Sequence, residues 1–181
     1  MTMEKYNQKK VYIISGPSGV GKSTIAKSLA AQLSHSAYIS GDLVSEMYTG
    51  GKKNLRKSKR ESALIWYNIL SLTKNFIMFN IDTIIDYVTF PNEAMWLYKH
   101  LNSLPVEISY VVLWADQQTL SKRDNRRPEQ EQIKDRSLLI HNQFLDTKFD
   151  QKHYLDTTDY SLNEVSFITN KIMTDRTFLL D

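Results

Sequence analysis

The sequence predicts an α/β fold in which helices cover both faces of a parallel sheet. Short apolar runs alternate with longer amphipathic ones along the whole chain, and a glycine-rich loop, GPSGVGKS, joins the first apolar run to the first amphipathic one. Strands and helices in that order need parallel crossovers. Size agrees: 181 residues, 41% of them apolar and 24% charged, make one globular domain, 1–181, whose core needs neither disulfides nor a structural metal.

Each element has its own signal. Val11 to Ser15 (VYIIS) reads as a buried strand, and in KSTIAKSLAAQL the residues Ile25, Leu29 and Leu33 recur at i+4 on one helical face. Ala37 to Ser40 is a second strand. From about Glu61 to Phe79, Leu64, Ile65, Ile69, Leu72, Phe76 and Phe79 suit a long core-facing helix. TIIDYV makes the third strand, Pro91 and Asn92 open a helix to about Ser103, and Val106 to Trp114 is the fourth strand. A charged helix over Thr119 to Arg127 stops before Pro128, and another runs from about Gln130 to Phe144. A short strand near His153 to Leu155 and a helix from about Leu162 to Met173 complete the chain. No repeat, low-complexity tract or Pro/Gly/Ser-rich linker divides it.

Several classes are excluded. With no cysteine, the chain has no disulfide framework, thiolate zinc site or thiol catalysis. The basic opening leads into an apolar run too short for a signal peptide, and no stretch approaches the roughly 20 apolar residues of a membrane span, so a cytoplasmic location is expected. A net charge of +3 is too mild to imply nucleic acid.

Gly16-Pro17-Ser18-Gly19-Val20-Gly21-Lys22-Ser23 fits G-x-x-x-x-G-K-[ST] between a predicted strand and a predicted helix. By composition the pattern arises by chance in about one chain of this length in a hundred. Glycines let successive N–H groups turn inward toward phosphate oxygens, and the helix beginning at Lys22 adds its positive end. Lys22 would reach the β- and γ-phosphates of a nucleotide, the Ser23 hydroxyl would bind Mg²⁺, and Thr24 continues the site into the helix.

Acids at the carboxyl ends of strands are the next candidates. Asp42 either receives or orients the hydroxyl proton of an acceptor, or caps a helix starting at Leu43. Asp86 ends its strand and either holds Mg²⁺, directly or through water, or is a solvated strand-end acid, whereas Asp82 belongs at the opposite edge. Arg123, Arg126 and Arg127 share a helical face, within a cluster that also holds Lys122, Lys134 and Arg136. That face either meets the charge of a transferring phosphoryl group under a movable flap or is a solvated, ion-paired surface. Lys52, Lys53, Arg56, Lys57, Lys59 and Arg60 form a second basic cluster, which selects an anionic acceptor or is simply solvated. Asp156-Thr157-Thr158 is either part of an adenine pocket or a turn. His35, His100, His141 and His153 have no metal-ligand spacing and read as surface or capping residues, so no zinc is expected. Trp66, Tyr87, Phe90 and Trp114 read first as packing, with Tyr87 or Phe90 as candidates for substrate contact.

GPSGVGKS, ISGDLV, TIIDYVTFP, LSKRDNRR and YLDTTD, in that order, make nearly the whole chain resemble the small P-loop kinases. The similar branch holds gluconate-kinase-like, shikimate-kinase-like and chloramphenicol-phosphotransferase-like proteins. The resemblance implies a three-layer P-loop NTPase fold with strand order 2-3-1-4-5, an arginine-bearing lid over about 119–137, and ATP with Mg²⁺ as donor. By position it makes Lys22, Asp42, Arg123 and Arg127 catalytic, with Arg136 a further lid candidate. Two departures leave the acceptor open: GDLVSEMYTGG lacks the His-Pro of gluconate kinases, and DYVTFP lacks the arginine of nucleoside monophosphate kinases.

The expected protein is therefore an ATP- and Mg²⁺-dependent kinase. It would act on a hydroxyl of a small metabolite, gluconate-like or otherwise acidic, or of an antibiotic-like molecule, as a monomer or homodimer without nucleic-acid or membrane partners. A nucleotide-dependent switch that hydrolyses ATP without an acceptor and a polynucleotide kinase are the alternatives.

Overall fold

The computed structural model describes residues 8–50, 58–126, 128, 132, 135–147 and 149–181. Five strands, β1 (Lys9–Ser15), β2 (Ser36–Ser40), β3 (Asp82–Asp86), β4 (Val106–Trp114) and β5 (Tyr154–Asp156), form one parallel sheet in the order β2-β3-β1-β4-β5. The expected order is therefore the observed one. Helices α1 (Lys22–Gln32), α2 (Gly41–Glu46), α3 (Lys59–Met78), α4 (Pro91–Leu101), α5 (Gln117–Asn125), α6 (Asp135–Leu145) and α7 (Val165–Thr174) connect and follow the strands.

Strand alternation divides the core in two. Val11 and Ile13 face α3, α4 and α6, where they meet Ile65, Ile69, Leu97 and Phe144. Tyr12 and Ile14 face the other way, against Ile25, Leu29, Leu120 and Ile168 of α1, α5 and α7. Burial on both faces is why β1 reads as an unbroken apolar run. Asp82 accepts from the Lys10 N–H at 2.9 Å at the amino edge of the sheet, as expected.

Three expectations need correction, and one open alternative is closed. The buried stripe of α3 is rotated: Ile65, Trp66, Ile69, Leu70 and Ile77 are inside, while Leu64 is 42% and Phe79 78% exposed. Apolar residues surround this helix, so periodicity alone did not select the face. α5 starts at Gln117, capped by the Asp116 carboxylate on the Thr119 N–H, and ends at Asn125, so Arg126 is its C-cap. Asp42 is not a cap, because α2 begins at Gly41 and the Ser40 hydroxyl accepts from the Leu43 N–H. Finally, His141 and His153 are buried rather than superficial. His141 stacks on Trp114, and His153 packs against Tyr110 and Phe149, so each ring fills core volume as an aromatic would. The expected start of α6 at Gln130 lies outside the described residues. Among those described, no helix is long and apolar enough to cross a membrane.

His153 makes acid stability testable. Its Nδ1–H donates to the Tyr110 carbonyl at 3.0 Å, and burial holds its pKa below the ordinary 6.5. Between 6.5 and that lower value the unfolded chain binds a proton that the folded one refuses, so stability present above pH 6.5 is lost on acidification. Melting temperatures measured at pH 7.5 and pH 5 should differ less in His153→Gln than in the unaltered protein; equal pH sensitivity of the two would refute the assignment.

Candidate functional site

β1 delivers the chain into Gly16 with φ at +129°, and Gly19 and Gly21 are also left-handed, at +89° and +107°. At Gly16 a Cβ would overlap the Leu113 carbonyl oxygen, so this turn requires glycine. Gly21 precedes α1 without a side-chain cap, and the first turn of α1 contains no acid. The helix thus presents its positive end to the space inside the loop, as an anion site requires. Lys22 Nζ donates to the Pro17 carbonyl at 2.9 Å, which folds the ammonium back over the loop.

Asp42 and Asp86 both sit at the carboxyl edge of the sheet beside this loop. Ser40 pairs with Asp86 across β2 and β3, and Asp86 pairs with Ile14 across β3 and β1. Asp42 is exposed, whereas Asp86 is only 6% exposed. Packing makes the turn before Asp42 close: a Cβ on Gly41 would run into the Tyr87 ring. The loop after β3 is latched to the end of β1, since Ser15 Oγ donates to the Thr89 carbonyl at 2.6 Å and accepts from its N–H at 2.9 Å.

Tyr38 is a residue of the candidate site that sequence reasoning missed. Its phenol donates to Asp86 Oδ2 at 2.7 Å. Burial and then the Asp86 hydrogen bond push the phenol far above its ordinary pKa, while hydrogen bonds with the Ser23 and Ser40 side chains oppose the shift. One protonated tyrosine therefore joins the two expected magnesium ligands, Ser23 and Asp86. The only sequence signal was strand alternation, which puts Tyr38 and Ser40 on the same face, and a tyrosine in a strand ordinarily reads as packing.

Arg123 points to the other side of the loop. Its guanidinium donates to the carbonyls of Val20, Thr157 and Tyr160 at 3.2, 2.6 and 3.0 Å, and to Thr157 Oγ1 at 3.3 Å. Burial lowers its pKa from the ordinary value. Thr157 is fixed as well, its N–H and hydroxyl both donating to the Trp114 carbonyl, at 2.7 and 2.8 Å. Between Arg123, Arg126, Val20, Thr24, Tyr160 and Ile168 lies a cavity of about 470 Å³ that opens onto the glycine loop. On α6, Ser137 Oγ donates to the Ser18 carbonyl at 2.5 Å, an unforeseen contact with no sequence signal. Arg127, Lys134, Lys52, Lys53, Arg56, Lys57 and the Arg136 side chain lie outside the described residues.

Among the described residues no cluster of three or more His, Asp or Glu side chains is placed to hold a metal ion. The hydroxyl and carboxylate gathered at Tyr38 are hard oxygen donors. They suit Mg²⁺, which keeps waters and takes its remaining ligands from substrate phosphates.

The family described as an AAA domain matches residues 11–149. The chain belongs to the AAA domain family. No curated protein sequence matches it. Among solved structures, this AAA domain is similar to an unliganded sugar kinase from Janibacter sp. HTCC2649, with TM-score 0.68, 12% identity, and coverage of 94% of this chain and 97% of the other. A gluconokinase from Sinorhizobium meliloti 1021 gives TM-score 0.61 at 14% identity, covering 96% and 99%. The Mycobacterium tuberculosis APS kinase in complex with AMPPNP and APS gives 0.68 at 17%, covering 92% and 98%. At these identities the likeness is one of fold: the AAA domain has the three-layer parallel architecture of the small P-loop kinases.

Proposed function

We propose that the protein is an ATP- and Mg²⁺-dependent kinase that phosphorylates a hydroxyl of a small molecule. The observation that carries this reading is the meeting of Ser23, Tyr38 and Asp86 beside an uncapped helix end, with the exposed Asp42 at the neighbouring strand end. A triphosphate would lie along the loop from Gly16 to Thr24, its base in the cavity beside Thr157. Lys22 would exchange its bond to the Pro17 carbonyl for the β- and γ-phosphates. The acceptor oxygen bonds to the γ-phosphorus as the bond to the β,γ-bridging oxygen breaks, the electron pair leaves on ADP, and the hydroxyl proton passes to the Asp42 carboxylate. Ser23 and Asp86 would hold Mg²⁺, which when bound offsets the charge on the phosphate oxygens.

Arg123, bonded to three carbonyls, enters this reading as a residue that ties the base-side loop to the phosphate loop. Arg127 is proposed for the transferring phosphoryl group. The cluster that favours an acidic, gluconate-like acceptor falls mostly outside the described residues, and its described members, Lys59 and Arg60, are exposed.

A thermal-shift screen with Mg²⁺-AMPPNP and a panel of hydroxylated metabolites, followed by radiolabel transfer from ATP, tests the reading. Transfer to a panel member supports it. Nucleotide binding with slow hydrolysis and no acceptor would make the protein a switch instead, and salt-sensitive transfer to 5′-hydroxyl RNA or DNA a polynucleotide kinase. Tyr38→Phe removes a partner behind both magnesium ligands and is expected to raise the Mg²⁺ concentration for half-maximal activity about 10-fold. An unchanged magnesium titration would remove Tyr38 from the site.

A further inference from the structure

A second cavity, of about 630 Å³, opens between the first turns of α3 and α4. Its size suits a small organic ligand. Both helices begin at the carboxyl edge of the sheet, the edge that carries the phosphate loop. Three aromatic rings wall it. Tyr67 and Trp96 meet edge to face with ring centres 5.3 Å apart, and Trp66 lies behind them, edge-on to Tyr87 at 5.5 Å. Tyr87 in turn packs over Gly41, so the rings of Trp66 and Tyr87 stand between the cavity and the turn that carries Asp42.

The cavity has one unsatisfied polar group. Glu93, in the first turn of α4, lines it, and Oε2 of its carboxylate is buried without a hydrogen-bond partner among the described residues. Such an atom costs free energy until a donor reaches it. Burial pushes the Glu93 carboxyl above its ordinary pKa, against the hydrogen bonds of the backbone N–H groups of Glu93 and Phe90. Lys59 also borders the cavity but is exposed, so water screens its charge. Ser58, Ser62 and Asn92 also border the cavity, but ring faces make up most of its wall, and the carboxylate of a polyhydroxy acid would meet Glu93.

We propose that this cavity seats the non-reacting body of the acceptor, a planar ring bearing a hydrogen-bond donor that meets Glu93 Oε2 while the ring packs against Trp66, Tyr67 and Trp96. The proposal rests on the kinase reading above and narrows its acceptor from acids to ring-bearing alcohols.

The test uses 4-hydroxybenzyl alcohol as probe and gluconate as comparison. The protein has three tryptophans, of which Trp66 and Trp96 line the cavity and Trp114 stacks on His141 elsewhere. Indole N–H resonances, assigned with single Trp→Phe variants, are followed as each compound is added, and AMPPNP binding is measured separately by calorimetry. The alcohol should move the Trp66 and Trp96 signals and leave Trp114 in place, and gluconate should move neither. Trp96→Leu should weaken the alcohol about 10-fold through loss of ring contact, and Glu93→Gln, which keeps the shape of the side chain, about 3-fold or more. AMPPNP binding with no response to the alcohol, an equal response to gluconate, or unaltered affinity in both variants would overturn this inference and leave the kinase reading standing. Absent AMPPNP binding would defeat the kinase reading, whatever the tryptophans report.

Discussion

Asp42→Asn is expected to lower phosphoryl transfer by about 10²- to 10⁴-fold, the range for removing a positioned general base, while AMPPNP binds as before. The fold should tolerate the change. Asp42 is exposed and is not the cap of α2, which is Ser40, so the substitution deletes neither a core contact nor the helix start. What remains is a first-turn acid whose interaction with the helix dipole is worth about 0.3–1 kcal/mol. Calorimetry with AMPPNP and single-turnover transfer should therefore separate: binding kept, chemistry lost. Undiminished transfer would remove Asp42 from the reaction. A protein whose slow, acceptor-independent hydrolysis ignores the substitution would behave as the switch described above.

Lys22→Met should act earlier, on the nucleotide itself. A ligand at 100 times its dissociation constant adds about 2.7 kcal/mol, which for a domain of this size raises the melting temperature by about 5–10 °C. In Lys22→Met that rise should nearly vanish, and residual turnover should fall by at least about 10²-fold, as when one preorganised charge partner is removed from a transfer site. The apoprotein loses the Nζ contact to the Pro17 carbonyl, so its own melting temperature, measured alongside, separates a weakened fold from a weakened site. Full retention of the ligand-induced rise would mean that the loop does not hold a triphosphate.

The contrast between these two residues explains what the sequence made legible. The phosphate loop is local: its left-handed glycines, its lysine and the helix start are consecutive, so a short pattern encodes the geometry. Strand order was legible from the resemblance, and which residues of β1 face which layer from alternation. Tyr38 was not legible, because its role comes from Asp86, 48 residues later in the chain and adjacent only once β2 and β3 pair. Whether Asp42 caps a helix stayed open in the sequence because Ser40 and Asp42 are both good caps, and only the observed start of α2 chooses between them. Arg123 and Arg126 were readable as a basic face, but the carbonyls that Arg123 holds belong to two distant loops. The aromatic cavity was hidden for the same reason, since Tyr67 and Trp96 meet only after α3 and α4 dock.

Arg123 at the end of α5 and Ser137 near the start of α6 both grip carbonyls of the glycine loop, at Val20 and Ser18. Main chain at two neighbouring points of that loop is thereby tethered to two different helices, so a displacement of α5 or α6 is felt at the loop through a direct bond and not only through the packed sheet.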